Sequence, residues 1–153
     1  MFLRANSFDV KASATQMIRH FEIKQSLFGK EKLAKDITIS DLDEDDREFL
    51  KQGSMQVLPY DTAGREIFLN LKGLGTPKSL QSEMRVKFYL LMTMCETEEK
   101  QKKGGIQVLY VVGDFKEKSH GDFPKHAELF LAIPIDWKGM HVCNDDYKQY
   151  LLM

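Results

Sequence analysis

His141 and Cys143 alternate within Gly139-Met140-His141-Val142-Cys143, a run that reads as a strand, so both side chains fall on one face of it. An imidazole beside a thiol pairs a base with a nucleophile, and it performs chemistry only where a third group orients the base and a pocket shelters the reaction. Packing explains a cysteine in an apolar strand equally well, because an unionised thiol behaves as a small hydrophobe. The other histidines offer less. His20 lies on a helical stretch among Arg19 and Glu22, which marks a solvated position. His120 and His126, with Asp122 nearby, are six residues apart, a spacing that fits neither one helix face nor a metal-ligand motif. The acidic run Asp43 to Asp46 lacks the alternate-position ligands, the glycine and the terminal glutamate of a calcium loop, and reads as helix capping. Gly73-x-Gly75 and Gly104-Gly105 lack the lysine or third glycine that a phosphate cradle needs, and no Gly-x-Ser-x-Gly elbow occurs. Lys100, Lys102 and Lys103 stand next to Glu98 and Glu99 and read as a solvated helix end rather than a lipid-phosphate site. These residues point away from an enzyme, a metal site or a cofactor; a small thiol enzyme using His141 and Cys143 is the third of three functional readings.

The bulk properties narrow the partners. The chain has 153 residues, enough for one core, with 22 basic against 23 acidic side chains and a net charge of -1. That balance gives no whole-molecule attraction to nucleic acid or to an anionic membrane. Cys95 and Cys143 are too few and too far apart for a disulfide framework or a zinc site, which fits a reducing cytoplasm. No apolar run approaches the roughly 20 residues that cross a bilayer. The amino terminus lacks the pattern of a secretory signal.

The elements that would position these residues are built around one stretch. Ile106-Gln107-Val108-Leu109-Tyr110-Val111-Val112 is bracketed by glycines and reads as a strand buried on both faces, the middle of a sheet. Upstream, Val10, Ala14, Met17, Ile18, Phe21 and Phe28 recur at helical spacing and predict a helix over 8–28 that buries this face, capped by Ser7 or Asp9 and ended by Gly29. Lys30 to Thr38 is a polar connector. Ser40 and Asp43 predict the cap of a second helix, stopping near Gly53. Met55 and Val57, then Ile67 to Leu69, predict two antiparallel strands around the turn Pro59 to Arg65. Thr76-Pro77 predicts the start of a helix to about Glu98, burying Leu80, Met84, Phe88, Leu91, Met92 and Cys95. After the central strand, Lys116 to Gly121 loops out. Phe123-Pro124 begins a helix that carries Leu129, Phe130 and Ile133 and is closed by Pro134; Gly139 to Cys143 is a strand and Asp145 to Met153 starts a helix. Strand, helix, strand in that order makes a right-handed crossover with parallel strands. The fold class expected is α/β, a mixed, partly parallel β-sheet flanked by helices.

Four stretches carry a family resemblance. Phe2-Leu3-Arg4-Ala5-Asn6-Ser7-Phe8-Asp9-Val10-Lys11-Ala12 resembles the FLRA..FD..KA opening of the last amino-terminal helical part in CRAL-TRIO proteins, a family of lipid carriers. Asp61 to Phe68 is similar to that family's D..GRPV hairpin, with Glu66 where proline is common. Gly105 to Gly113 is similar to its central strand, with Val111 in place of the usual aspartate. Gly139 to Asn144 is similar to its later strand, with Asp145 in place of the proline that follows. The segment between the two parallel strands is shorter than the family's, and the chain stops at Met153, before the gate helix.

The resemblance implies a divergent, truncated member. Residues 1–52 would be the end of the amino-terminal helical region and 53–153 the first part of the lipid-binding domain. It implies non-enzymatic binding, and transfer between membranes, of a lipid or other small hydrophobic ligand in an apolar cavity over a sheet floor. No cofactor and no nucleic acid are implied; the implied setting is the cytoplasm, with transient contact at a membrane surface. Tyr110 falls where the family often has a cavity-lining aromatic, with Val108 beside it, and Val142, Leu129, Phe130 and Ile133 fall on neighbouring floor and wall positions. A lipid tail leaves water at roughly 0.8 kcal/mol per buried methylene, so a dry pocket suffices. The second reading is a protein-interaction or scaffold module without ligand, associating with a partner or with itself through an exposed apolar patch.

Overall fold

The computed structural model describes residues 1–72, 74–95, 106–112 and 123–144, of which 72, 106–112, 123, 142 and 144 are described by their backbone. Helix and strand are mixed in one α/β unit. Helix α1 (Phe2–Ala5) turns back on α2 (Val10–Phe28) through Ser7 and Phe8, both in left-handed backbone conformations. After two short 3₁₀ turns, Lys30–Lys32 and Ile39–Asp41, come α3 (Glu44–Lys51), β1 (Met55–Leu58), β2 (Glu66–Lys72), α4 (Leu80–Cys95), β3 (Ile106–Val112), α5 (Phe123–Ala132) and β4 (Trp137–Asn144). The expectations for Lys100 to Lys103, Lys116 to Gly121, His120, Asp122 and Asp145 to Met153 concern residues outside those described.

The strands form one sheet in the order β1-β2-β3-β4. β1 and β2 are an antiparallel hairpin, Met55 opposite Asn70 and Leu58 opposite Ile67. Its turn is held by one carboxylate: Asp61 accepts from the amides of Ala63 and Arg65, both at 2.9 Å, and from Arg65 Nε at 2.7 Å. The Arg65 amide, and then its guanidinium, keep the Asp61 carboxyl below the ordinary carboxylate range. β2 runs parallel to β3, and β3 to β4.

The core lies between the sheet and the helices. Phe68, Phe88, Leu91, Leu129 and Ile133 are fully excluded from solvent in one cluster that also takes in Met55, Phe49 and Ile135. α4 buries Met84, Phe88, Leu91 and Cys95, as its periodicity predicts, and half-buries Leu80 and Met92. Its start differs from expectation. The helix begins at Leu80, and the Ser79 hydroxyl accepts from the Ser82 amide at 3.1 Å, so serine rather than Thr76-Pro77 supplies the cap. α3 is likewise capped by Asp43 in a reciprocal box with Asp46, while Ser40 lies inside the preceding 3₁₀ turn.

α2 starts and stops as expected, with Asp9 accepting from the Ala12 amide and Gly29 at φ 84, but it faces the other way. Val10, Ala14, Met17, Ile18 and Phe21 are exposed, and the buried residues are Ser13, His20 and Lys24, with Ile23 and Leu27 half-buried beside them. The cause is the backbone it must satisfy. The last carbonyls of a helix have no intrahelical donor, and the Gln16 amide donates to those of Leu131 at 3.1 Å and Ile133 at 2.9 Å, while His20 bonds that of Ala132. Lys24 Nζ serves the connector carbonyls of Lys35 at 2.6 Å and Leu33 at 3.3 Å. Donors were needed inside, so the helix turned them inward. His20 is therefore a core residue at 4% exposure, packed between the rings of Phe2, Phe21 and Phe88, and not a solvated one.

Candidate functional site

The two faces of the sheet differ. In paired strands, residues opposite one another share a face, so Phe68, position 108 and Met140 form one row, and Asn70, position 110 and position 142 the next. The middle of these rows lies under the helices, where Phe68 meets the Phe130 ring of α5 at 6.4 Å, edge to face, and Phe130 meets Trp137 at 5.1 Å, while Val57 and Met140 at the ends of the first row are exposed. The sequence-predicted ligand residues Val108, Tyr110 and Val142 thus occupy register positions on the covered face, and their side chains lie outside those described. Leu129 and Ile133 are core residues with no exposed surface, and Phe130 is half-buried.

The opposite face reads Leu58, Ile67 and positions 107 and 139 in one row; Gln56, Leu69, position 109 and His141 in the next; then Leu71, position 111 and Cys143. Ile67, Leu69 and Leu71 are half-buried there and, among the described residues, lie outside the buried cluster, and His141 and Cys143 are exposed at the edge. Cys143 is therefore not the packed hydrophobe its strand suggests, and among the described residues no carboxylate orients His141 as a catalytic base. The strand β2 carries an inversion. Its polar residues Glu66 and Asn70 are buried beside Phe68, while its uninterrupted aliphatic side is the one left half-covered. Sequence reasoning missed Leu69 and Leu71, although the alternation of Ile67, Leu69 and Leu71 across Glu66 and Asn70 was there to be read.

Two polar clusters lay beyond any local motif. Lys87, 1% exposed, reaches Glu83 Oε1 at 3.2 Å and His126 Nδ1 at 3.0 Å, and its ammonium lies 5.9 Å from the centre of the Phe130 ring. A lysine this inaccessible has no route to a substrate and acts as a tie between α4 and α5. Among the described residues no group of His, Cys, Asp and Glu is placed to hold a metal. The second cluster centres on Asp46, wholly buried, which accepts from Ser82 Oγ at 2.6 Å and from Arg85 at 2.6 and 2.9 Å. Burial pushes its pKa up, but hydrogen bonds from Arg85 and Ser82 and the guanidinium charge outweigh that and leave the carboxyl below its ordinary value. Arg85 also reaches Asp43 at 2.5 Å, at the rim of a cleft of about 420 Å³ between α2, α3 and α4. Four of its charged residues are already paired, Arg85 with Asp43 and Lys32 with Asp41, and Glu31 is the other that lines it.

No family model matches the chain, and no curated protein matches it. No described helix is long and apolar enough to cross a membrane.

Proposed function

We propose that this chain is a non-enzymatic binding module for a lipid or other small hydrophobic ligand, held against the sheet face that carries Ile67, Leu69 and Leu71 and exchanged at membrane surfaces by transient contact. The observation that carries this reading is the inversion in β2: Ile67, Leu69 and Leu71 stay half-exposed while Glu66 and Asn70 are buried. Apolar side chains left partly exposed gain by having something apolar laid on them. The resemblance of the Asp61 to Phe68 hairpin and of the two later strands to CRAL-TRIO lipid carriers supports the same reading, as does the parallel run of β2, β3 and β4. It shifts the contact by one position along each strand, from Val108 and Tyr110 to Leu69 and Leu71 with positions 109 and 111. Covering about eight methylenes gains roughly 6 kcal/mol before the cost of ordering the ligand. The test is titration with a fluorescent fatty acid. Saturable binding that Leu69→Asp and Leu71→Asp abolish, with circular dichroism unchanged, is the expected result; binding indifferent to both substitutions would refute it.

A further inference from the structure

The outward stripe of α2 is a second apolar surface, on a different element from the sheet. Val10 is 73% exposed, Ile18 58%, Met17 42% and Phe21 40%. With Ala14 they recur at intervals of three and four over most of the helix, so they fall within one continuous stripe about 100° wide. Its flank is charged in both senses. Lys11 and Glu22, both exposed, stand close together on the helical wheel, on the same side of the stripe and near its two ends.

We infer that this stripe is the contact of a homodimer in which α2 packs antiparallel against α2 of a second copy. A two-fold axis near Gln16 and Met17 brings Lys11 opposite Glu22 of the partner subunit, and the same pair recurs by symmetry at the other end. Parallel packing would instead leave the Lys11 and Glu22 flanks of the two copies on opposite sides of the seam, with neither charge paired. An anionic bilayer gains nothing from a flank of one cation and one anion, whereas a second copy satisfies both. Ala14 lets the helices approach closely near the centre. From the exposed fractions, the five stripe residues offer roughly 400 Å² per copy, and the flanking polar residues bring the total toward the roughly 1,000 Å² at which specific, weak interfaces begin.

Sedimentation velocity over a concentration series tests this. Wild type is expected to pass from monomer to dimer, and Ile18→Asp to stay monomeric with an unchanged circular dichroism spectrum. Lys11→Glu is expected to weaken the dimer roughly five- to tenfold, because two attractive pairs become repulsive. The reciprocal double variant Lys11→Glu/Glu22→Lys restores it. The inference fails if wild type is monomeric at the highest soluble concentration, if Ile18→Asp leaves a dimer intact, or if the double variant is no tighter than Lys11→Glu. A monomer that cosediments with anionic phosphatidylserine vesicles through the same stripe also overturns it.

Discussion

The buried imidazole of His20 makes the protein's stability acid-sensitive above the range in which its carboxylates titrate. Burial, followed by the nearby Lys24 ammonium, lowers its pKa from 6.5 to about 4, with the hydrogen bond to the Ala132 carbonyl working in the other direction. Its Nδ1 has no hydrogen-bond partner. Because the folded-state pKa is the lower one, the unfolded chain binds a proton that the folded chain refuses. The stability is present in full above pH 6.5 and is lost as pH falls toward 4. At 1.36 kcal/mol per pKa unit, this amounts to about 2 kcal/mol at pH 5 and about 3 kcal/mol in the limit. His20→Phe removes the titration and keeps a ring among Phe2, Phe21 and Phe88, at the cost of about 1 kcal/mol for the bond to Ala132. Urea unfolding at pH 7 and pH 5 reads the difference directly. Wild type is expected to lose about 2 kcal/mol more than His20→Phe between the two. Asp41, whose Lys32 partner holds it at about 2, stays ionised throughout and does not blur the comparison. Equal losses in the two proteins, or an NMR titration of His20 with a midpoint near 6.5, would refute the reasoning.

Asp46→Ala is expected to cost about 3 kcal/mol, since it leaves the half-buried Arg85 with Asp43 alone, empties the Ser82 hydrogen bond and opens the α3 capping box; chemical denaturation measures it. Thiol labelling separates the cysteines: Cys143 is exposed and reacts with a thiol reagent in the native state, while Cys95, buried in α4, reacts only as the protein unfolds. Rapid native labelling of both would place Cys95 outside the core.

Where structure followed from local rules, the sequence was readable. Asp9 and Gly29 bracket α2, the apolar period of α4 selects Phe88 and Leu91, and Pro59 to Arg65 separates the two strands of the hairpin. The orientation of α2 was not readable, because an apolar period measures which face is greasiest and not which face must donate hydrogen bonds to carbonyls more than 100 residues away, as Gln16 does. β2 is inverted as well, with polar Glu66 and Asn70 inside, but donated bonds do not account for it: among the described residues the Asn70 amide nitrogen finds no partner. The Asp46 and Lys87 clusters join residues 36 to 39 positions apart, a pairing that exists only once α3, α4 and α5 have packed. Val108 and Tyr110, which the sequence suggests as a cavity floor, share a face with Phe68 and Asn70, and Leu69 and Leu71 lie on the other.

The proposal that the sheet face of Leu69 and Leu71 carries an oily guest is tested most directly by organic extraction of the purified protein followed by mass spectrometry, beside the Leu69→Asp variant prepared in the same way. A defined lipid recovered in near-stoichiometric amount from wild type and depleted from the variant is the predicted result. Equal recovery from both, or nothing bound to a folded wild-type protein that also ignores added fatty acid, would contradict it.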